Sequence, residues 1–286
     1  MNATVAKSFK TFAWKMLYRS GLLGAAYGLL TRVEILHPVI LFGNMRYWLS
    51  GTPDGVPVPP WRLRTLVIGT SAIKSFLSTG RQAADDIKNL LQTNGLDLNQ
   101  FEKILDFGCG CGRVTRWMRT KAQVYGTDYN DELIRWARQN LPSVQFETNG
   151  LEPPTPYPSN EFDFVYALSV FTHMPEALQR SWMAELHRIV KPGGFLMITT
   201  AGEAYLPRFL TDEEQQEFRS GQLVVKHERY AGTNLCAAYH PYAHVAQCLA
   251  RGFDVIDFVA EGAFRGGGRL PSQDAYLLRK AGDRLL

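Results

Sequence analysis

The sequence predicts an α/β fold: a mostly parallel seven-stranded sheet with helices on both faces, behind an N-terminal helical extension. Three observations point there. From residue 102 onward, short apolar runs alternate with amphipathic segments, the pattern of strands and helices layered on a parallel sheet. The first of those runs opens directly into a glycine-rich turn. Residues 1–50 have another texture: Lys7, Lys10, Lys15, Arg19, Arg32 and Arg46 stand against the single acid Glu34, interleaved with Phe9, Phe12, Trp14, Leu17, Tyr18, Leu22 and Leu23.

Taken in order, residues 1–60 form a basic and apolar helical extension that ends in a Pro-rich connector, within the turn-rich stretch GTPDGVPVPPW at 51–61. Such an extension packs on the main domain or on a second subunit, or lies at a membrane surface. Residues 61–286 read as one domain in four parts. The lead-in, 61–101, is helical: Ala83, Ile87, Leu90 and Leu91 recur at helical spacing, and Asn94-Gly95 ends the run. In the core, 102–200, strands are expected at 103–107, 123–127, 144–146, 162–168 and 195–199. Helices are expected at 113–119, from an Asn130 N-cap through 138, and at 175–189, with Lys191-Pro192-Gly193-Gly194 as a stop signal. A cap insert, 201–240, is polar and partly helical, chiefly at 212–219. The last part, 241–286, gives a helix at 241–251 and strands at 253–260 and 275–279, close enough in sequence to pair as an antiparallel hairpin.

The 286 residues are 45% hydrophobic and 20% charged, which excludes a wholly disordered chain. A formal charge of +4 is too mild to argue for nucleic acid. A chain of this length builds its own core, so its four cysteines need not form a disulfide framework. No cleavage pattern of a secretory leader follows the apolar run at 21–30, and the uncharged stretch at 20–31 is too short to span a bilayer. The expected setting is cytoplasmic, with peripheral membrane contact or self-association through residues 1–50 as further expectations.

The informative segment is Ile104-Leu105-Asp106-Phe107-Gly108-Cys109-Gly110-Cys111-Gly112-Arg113. Glycine permits the backbone angles of a tight turn and leaves no side chain between main chain and ligand. The spacing is G-x-G-x-G, not the G-x-G-x-x-G that brings a helix start to a pyrophosphate. Asp106, two residues before the first glycine, welcomes a positive ligand and repels a diphosphate. Asp128, at the end of the next strand, is placed to accept hydrogen bonds from two ribose hydroxyls. Together they describe a site for a cationic nucleoside bearing an amino-acid tail.

The segment KILDFGCGCGRVTRWM resembles the first motif of the class I S-adenosylmethionine-dependent methyltransferases, of the bacterial small-molecule type. The resemblance implies a Rossmann-like class I methyltransferase fold with S-adenosyl-L-methionine as cofactor. It implies that Asp106 and the turn Gly108, Cys109, Gly110 and Gly112 pack against the methionine part. Asp128 then holds the ribose and Tyr129 flanks the adenine. Thr148-Asn149-Gly150-Leu151 falls on the adenine-contacting segment, with Asn149 where many members carry Asp. The run from Phe162 to His173 is similar to the fourth-strand motif and adds Ser169 to the expected cofactor contacts; Lys191-Pro192-Gly193-Gly194 is similar to the turn before the fifth strand.

The implied reaction is methyl transfer to a small-molecule acceptor, with oxygen as the expected accepting atom. A lipid or membrane-held acceptor is the alternative, as is a protein that binds the cofactor without transferring methyl. Direct displacement from a sulfonium needs alignment more than covalent catalysis. A base is required where the accepting atom carries a proton, and His173 and His240 are the candidates. No Asn/Asp-Pro-Pro-Tyr follows the fourth strand, where Leu168-Ser169-Val170-Phe171 stands, so no nucleic-acid acceptor is expected. Cys109 and Cys111 read as small space-filling side chains, and no metal is expected at them or at His240 and His244.

Overall fold

The computed structural model describes residues 16–17, 20–34, 36–265 and 270–281. Most of the basic and aromatic run at the start (Lys7 to Trp14, Lys15, Tyr18, Arg19) and Gly266-Gly267-Gly268 lie outside the described residues. Seven strands form one sheet: β1 (Lys103–Phe107), β2 (Gln123–Asp128), β3 (Gln145–Thr148), β4 (Phe162–Ala167), β5 (Val190–Thr200), β8 (Phe253–Ala263) and β9 (Gln273–Lys280), with β6 (Val224–Lys226) and β7 (Ala237–Tyr239) in a small second sheet. The order is β3-β2-β1-β4-β5-β9-β8, parallel except for β9, which runs antiparallel to both neighbours.

The period of two along each strand divides the core between the two faces. Leu105, Val165, Leu196 and Tyr276 pack with Trp182 and Leu186 of the helix Glu176–Ile189. Their neighbours Ile104, Phe164, Met197 and Leu277 pack with Ala83, Ile87 and Leu91 of the helix Ile73–Thr93. The strand order reverses between β1 and β4, which opens a crevice at the carboxyl ends of those strands.

Several elements differ from the expectation. The helix expected at 113–119 is a single 3-10 turn, Thr115–Trp117. Gly112 enters it at φ +73, Val114 and Thr115 are β-branched, and the Thr115 hydroxyl is spent on Asp106. The Lys191–Gly194 stop signal lies inside β5, which starts at Val190; Gly193 sits at φ +75 where the pairing with β4 shifts register. The expected helix at 241–251 is one α-turn, Tyr242–His244, followed by a π-turn, Val245–Leu249. The insert holds the β6–β7 pair, which its polar composition did not announce, beside the expected helix Asp212–Arg219 with its Thr211 and Glu214 capping box. The third strand begins one residue later than expected and runs on to Thr148.

Among the described residues, the helices Leu23–Glu34 and Pro38–Ser50 precede the connector. The lead-in consists of Trp61–Ile68 and Ile73–Thr93.

Candidate active site

The crevice at the ends of β1 and β4 is a cleft of about 540 Å³. Its floor is the glycine turn. Gly108 (φ +75) and Gly110 (φ +56) hold backbone angles that side chains rarely adopt, and a Cβ on Gly108 would lie 2.4 Å from Val170 Cγ2. The amides of Gly108 and Cys109 both donate to the Thr127 carbonyl, at 2.8 and 3.0 Å, which pins the turn to the end of β2. Cys109 lines the cleft only as part of this turn, because its side chain packs with Ile134, Ala137, Leu141 and Phe146. Gly112 does not line the cleft: a Cβ there would meet Leu141 Cδ1 at 2.3 Å, so its glycine serves packing and not a ligand.

Two buried carboxylates face this floor. Asp128 accepts from the amides of Gly110 and Asn130, each at 2.9 Å, through different oxygens. Burial pushes its carboxyl up to about 6, against the pull of those two amides. Asp106 accepts from the Thr115 hydroxyl, and burial pushes it up to about 7. Two carboxylates held at such a cost make the cleft a favourable place for a cation. Arg113 also lines it, with burial pulling its guanidinium down to about 10; it reaches the Thr79 hydroxyl at 3.3 Å, while its buried Nε has no hydrogen-bond partner.

Tyr129, Asn149, Gly150, Leu151 and Ser169 all line the cleft. The side chain of Asn149 is committed inward: its Oδ1 accepts from the Thr127 hydroxyl at 2.7 Å, and its Nδ2 donates to the Gly150 carbonyl at 2.6 Å. Ser169 sits at φ +60 with its amide donating to the Thr199 hydroxyl at 2.8 Å.

The two candidate bases part company. His173 lines the cleft from the turn Phe171–His173. Its Nδ1 lies 2.8 Å from the Cys236 carbonyl, so Nδ1 carries the proton and donates. Nε2 is then the free lone pair, and burial lowers the pKa from its ordinary value, which keeps the ring neutral. His240 is a correction to the sequence reading. It is fully buried outside the cleft, with Nε2 donating to Gln179 Oε1 at 3.1 Å and its pKa pushed by burial down to about 3. The amide of His240 donates to the Ala201 carbonyl, which draws this end of β7 behind the cleft wall.

Sequence reasoning missed Arg113, Val170 and the strap 232–236. The strap takes the Tyr129 hydroxyl on the Gly232 carbonyl (2.8 Å) and donates the Gly232 amide to the His173 carbonyl (2.8 Å). One signal was available for Arg113. Gly80 interrupts an otherwise favourable helix, and a Cβ there would lie 2.2 Å from the Arg113 carbonyl, so the glycine marks a close approach to the turn.

A family model described as a methyltransferase domain matches residues 105–198, the stretch that carries the turn, both carboxylates and His173. With the sheet order and the cleft, this makes the core of the chain a class I S-adenosylmethionine-dependent methyltransferase domain. In particular, it is similar to an uncharacterized methyltransferase of Synechocystis, 28% identical over 44% of this chain and 60% of that protein. It is also similar to a ubiquinone biosynthesis O-methyltransferase of Thiobacillus denitrificans, 33% identical over 35% of this chain and 44% of that one. The chain aligns with no more than 60% of the length of these curated relatives. Among solved structures, an S-adenosylmethionine-dependent methyltransferase of Clostridium acetobutylicum superposes with a TM-score of 0.52 at 12% identity, over 70% of this chain and 92% of that one.

The residues present fit that cofactor. Gly108 and Gly110 line the cleft, the two carboxylates suit a sulfonium and ribose hydroxyls, and the orphaned Arg113 Nε suits a carboxylate tail.

Proposed function

We propose that this chain transfers the methyl group of S-adenosylmethionine to an oxygen of a small organic acceptor. The observation that carries the reading is His173, a cleft imidazole whose Nδ1–H is committed to the Cys236 carbonyl and whose Nε2 is left as a base. When bound, the cofactor supplies a methyl already activated on sulfur. The chain's own residues do the rest. Asp128 holds the ribose hydroxyls, and Gly108 and Gly110 give close main-chain approach. Asp106 complements the positive charge, and Arg113 takes the carboxylate tail. Tyr129 and Leu151 flank the base. His173 Nε2 takes the proton of the accepting hydroxyl, which makes the oxygen a better nucleophile as it attacks.

Oxygen as acceptor is in line with the names of two relatives, the ubiquinone biosynthesis O-methyltransferase above and a malonyl-[acyl-carrier protein] O-methyltransferase of Salmonella typhimurium. The upper cleft is lined by Trp61, Leu66, Tyr230 and Leu235, an apolar and aromatic wall suited to an organic molecule. The test uses cofactor labelled in its methyl group with panels of hydroxylated, amine and carbon acceptors. Transfer to hydroxylated acceptors is expected to fall about 10²- to 10⁴-fold in His173→Ala, with binding of S-adenosylhomocysteine unchanged. Transfer that survives this substitution intact refutes the reading.

A further inference from the structure

We infer that the two N-terminal helices form a platform that docks on an anionic lipid surface. In the helix Pro38–Ser50 large apolar side chains face outward as well as inward. Its buried positions are Ile40 and Asn44, and Asn44 clamps the helix to the body: Oδ1 accepts from the Ile73 amide at 2.8 Å, and Nδ2 donates to the Ser71 carbonyl at 3.3 Å. Its outward face carries Val39 (74% exposed), Phe42 (67%) and Leu49 (83%), residues three and seven apart that share one side of a helix. The preceding helix, Leu23–Glu34, buries Leu23 but repeats the outward apolar face. Gly24 and Gly28 line the cleft, and Glu34 accepts from the Thr70 hydroxyl at 2.8 Å and the Ser71 amide at 3.2 Å, while Leu29 and Leu30 are exposed. Large apolar groups are turned out on two consecutive elements, in addition to the Leu23 and Ile40 that are buried, and an exposed apolar face of this kind marks a contact.

Charge decides what covers it. Residues 1–50 hold six basic side chains and one acid, and that acid is the Glu34 already bonded to the body. Arg46 falls on the same side of its helix as Val39, Phe42 and Leu49, at the spacing 39, 42, 46, 49. A second copy of this face brings no acid to meet Arg46. An anionic bilayer satisfies both halves, taking the apolar side chains below the headgroups and Arg46 at their level. The helices have 12 and 13 residues, about 18 to 20 Å at 1.5 Å per residue, against a hydrocarbon core of about 30 Å. Among the described residues no helix is long and apolar enough to cross a membrane. The platform therefore lies on the surface, and the cleft opens beside it, because Gly24, Gly28 and Arg32 belong to the same helix as Leu29 and Leu30.

The docking does not depend on methyl transfer, and its test is separate. The full chain is sedimented with vesicles of phosphatidylcholine alone and with vesicles containing phosphatidylglycerol, at low and raised salt. Sedimentation with the anionic vesicles is expected, weakened by salt and weaker on phosphatidylcholine. The triple variant Val39→Ser, Phe42→Ser, Leu49→Ser is expected to lower the partition coefficient at least about tenfold. Since all three side chains are exposed, the variant keeps its thermal transition and its binding of S-adenosylhomocysteine. Three results overturn the proposal: no sedimentation of the wild type with anionic vesicles, equal sedimentation of the triple variant, or a wild-type dimer in light scattering that the triple variant dissolves while neither protein binds vesicles.

Discussion

Asp128→Asn separates the stability of the cleft from its ligand chemistry. Both oxygens of Asp128 accept from backbone amides, Gly110 N and Asn130 N, each at 2.9 Å. An asparagine satisfies one of these donors with its oxygen and turns its NH₂ on the other, which leaves that buried amide unpaired at a cost of about 1 to 3 kcal/mol. A second effect opposes this. Burial pushes the carboxyl from 3.8 up to about 6, so its charge costs the fold roughly 3 kcal/mol at neutral pH. The native form holds the proton more tightly than the unfolded chain does. The cost is therefore absent below the unfolded pKa, grows as pH rises, and is complete above about 6. Asparagine carries no such charge, so the two effects offset and stability at neutral pH changes by no more than about 2 kcal/mol. Nothing offsets the loss at the ligand. The ribose loses a charged acceptor, and the dissociation constant of S-adenosylhomocysteine is expected to rise about ten- to a hundredfold. Urea unfolding and titration calorimetry at neutral pH read the two quantities. A dissociation constant unchanged in a folded variant refutes the placement of the ribose at Asp128. A stability loss beyond about 4 kcal/mol refutes the offset.

Two further outcomes follow from the same cleft. Gly108→Ala meets both a backbone at φ +75 and Val170 Cγ2 at 2.4 Å, and is expected to cost about 2 to 4 kcal/mol in urea unfolding. Adding Val170→Ala removes the clash but not the backbone strain, so the double variant recovers only part of the loss; full recovery, or no loss at all, contradicts the geometry. Because burial raises Asp106 to about 7 and Asp128 to about 6, acidification through that range neutralises both. Affinity for the cationic S-adenosylmethionine then falls more steeply than affinity for its uncharged-sulfur product, and calorimetry across about pH 5 to 8 checks the divergence.

The sheet was legible because burial on both faces leaves its strands as apolar runs, and the strand boundaries at β1, β2 and β4 follow from that alone. Asp106, Gly108, Gly110 and Asp128 were legible because strand ends and glycines place them without long-range information. What could not be read depends on contacts distant in sequence. The segment 113–119 has the apolar and basic alternation of a helix, but the β-branched Val114 and Thr115, the Thr115 bond to Asp106 and the angle at Gly112 override it. His240 sits at a helix start by its Pro241, yet the Ala201 bridge and Gln179 decide that it faces away from the cleft. Periodicity marked the extension as apolar and basic, but only the Asn44 and Glu34 clamps show which side faces in.

The strap at 232–236 ties three parts of the molecule together. Gly232 joins it to Tyr129 and to the main chain of His173, Cys236 fixes the tautomer of the His173 ring, and Asn234 Nδ2 donates to the Leu66 carbonyl at 2.8 Å. A strap anchored in this way cannot rise on one side alone. A substitution anywhere in 232–236 is therefore expected to disturb the Tyr129 side of the cleft and the His173 imidazole together.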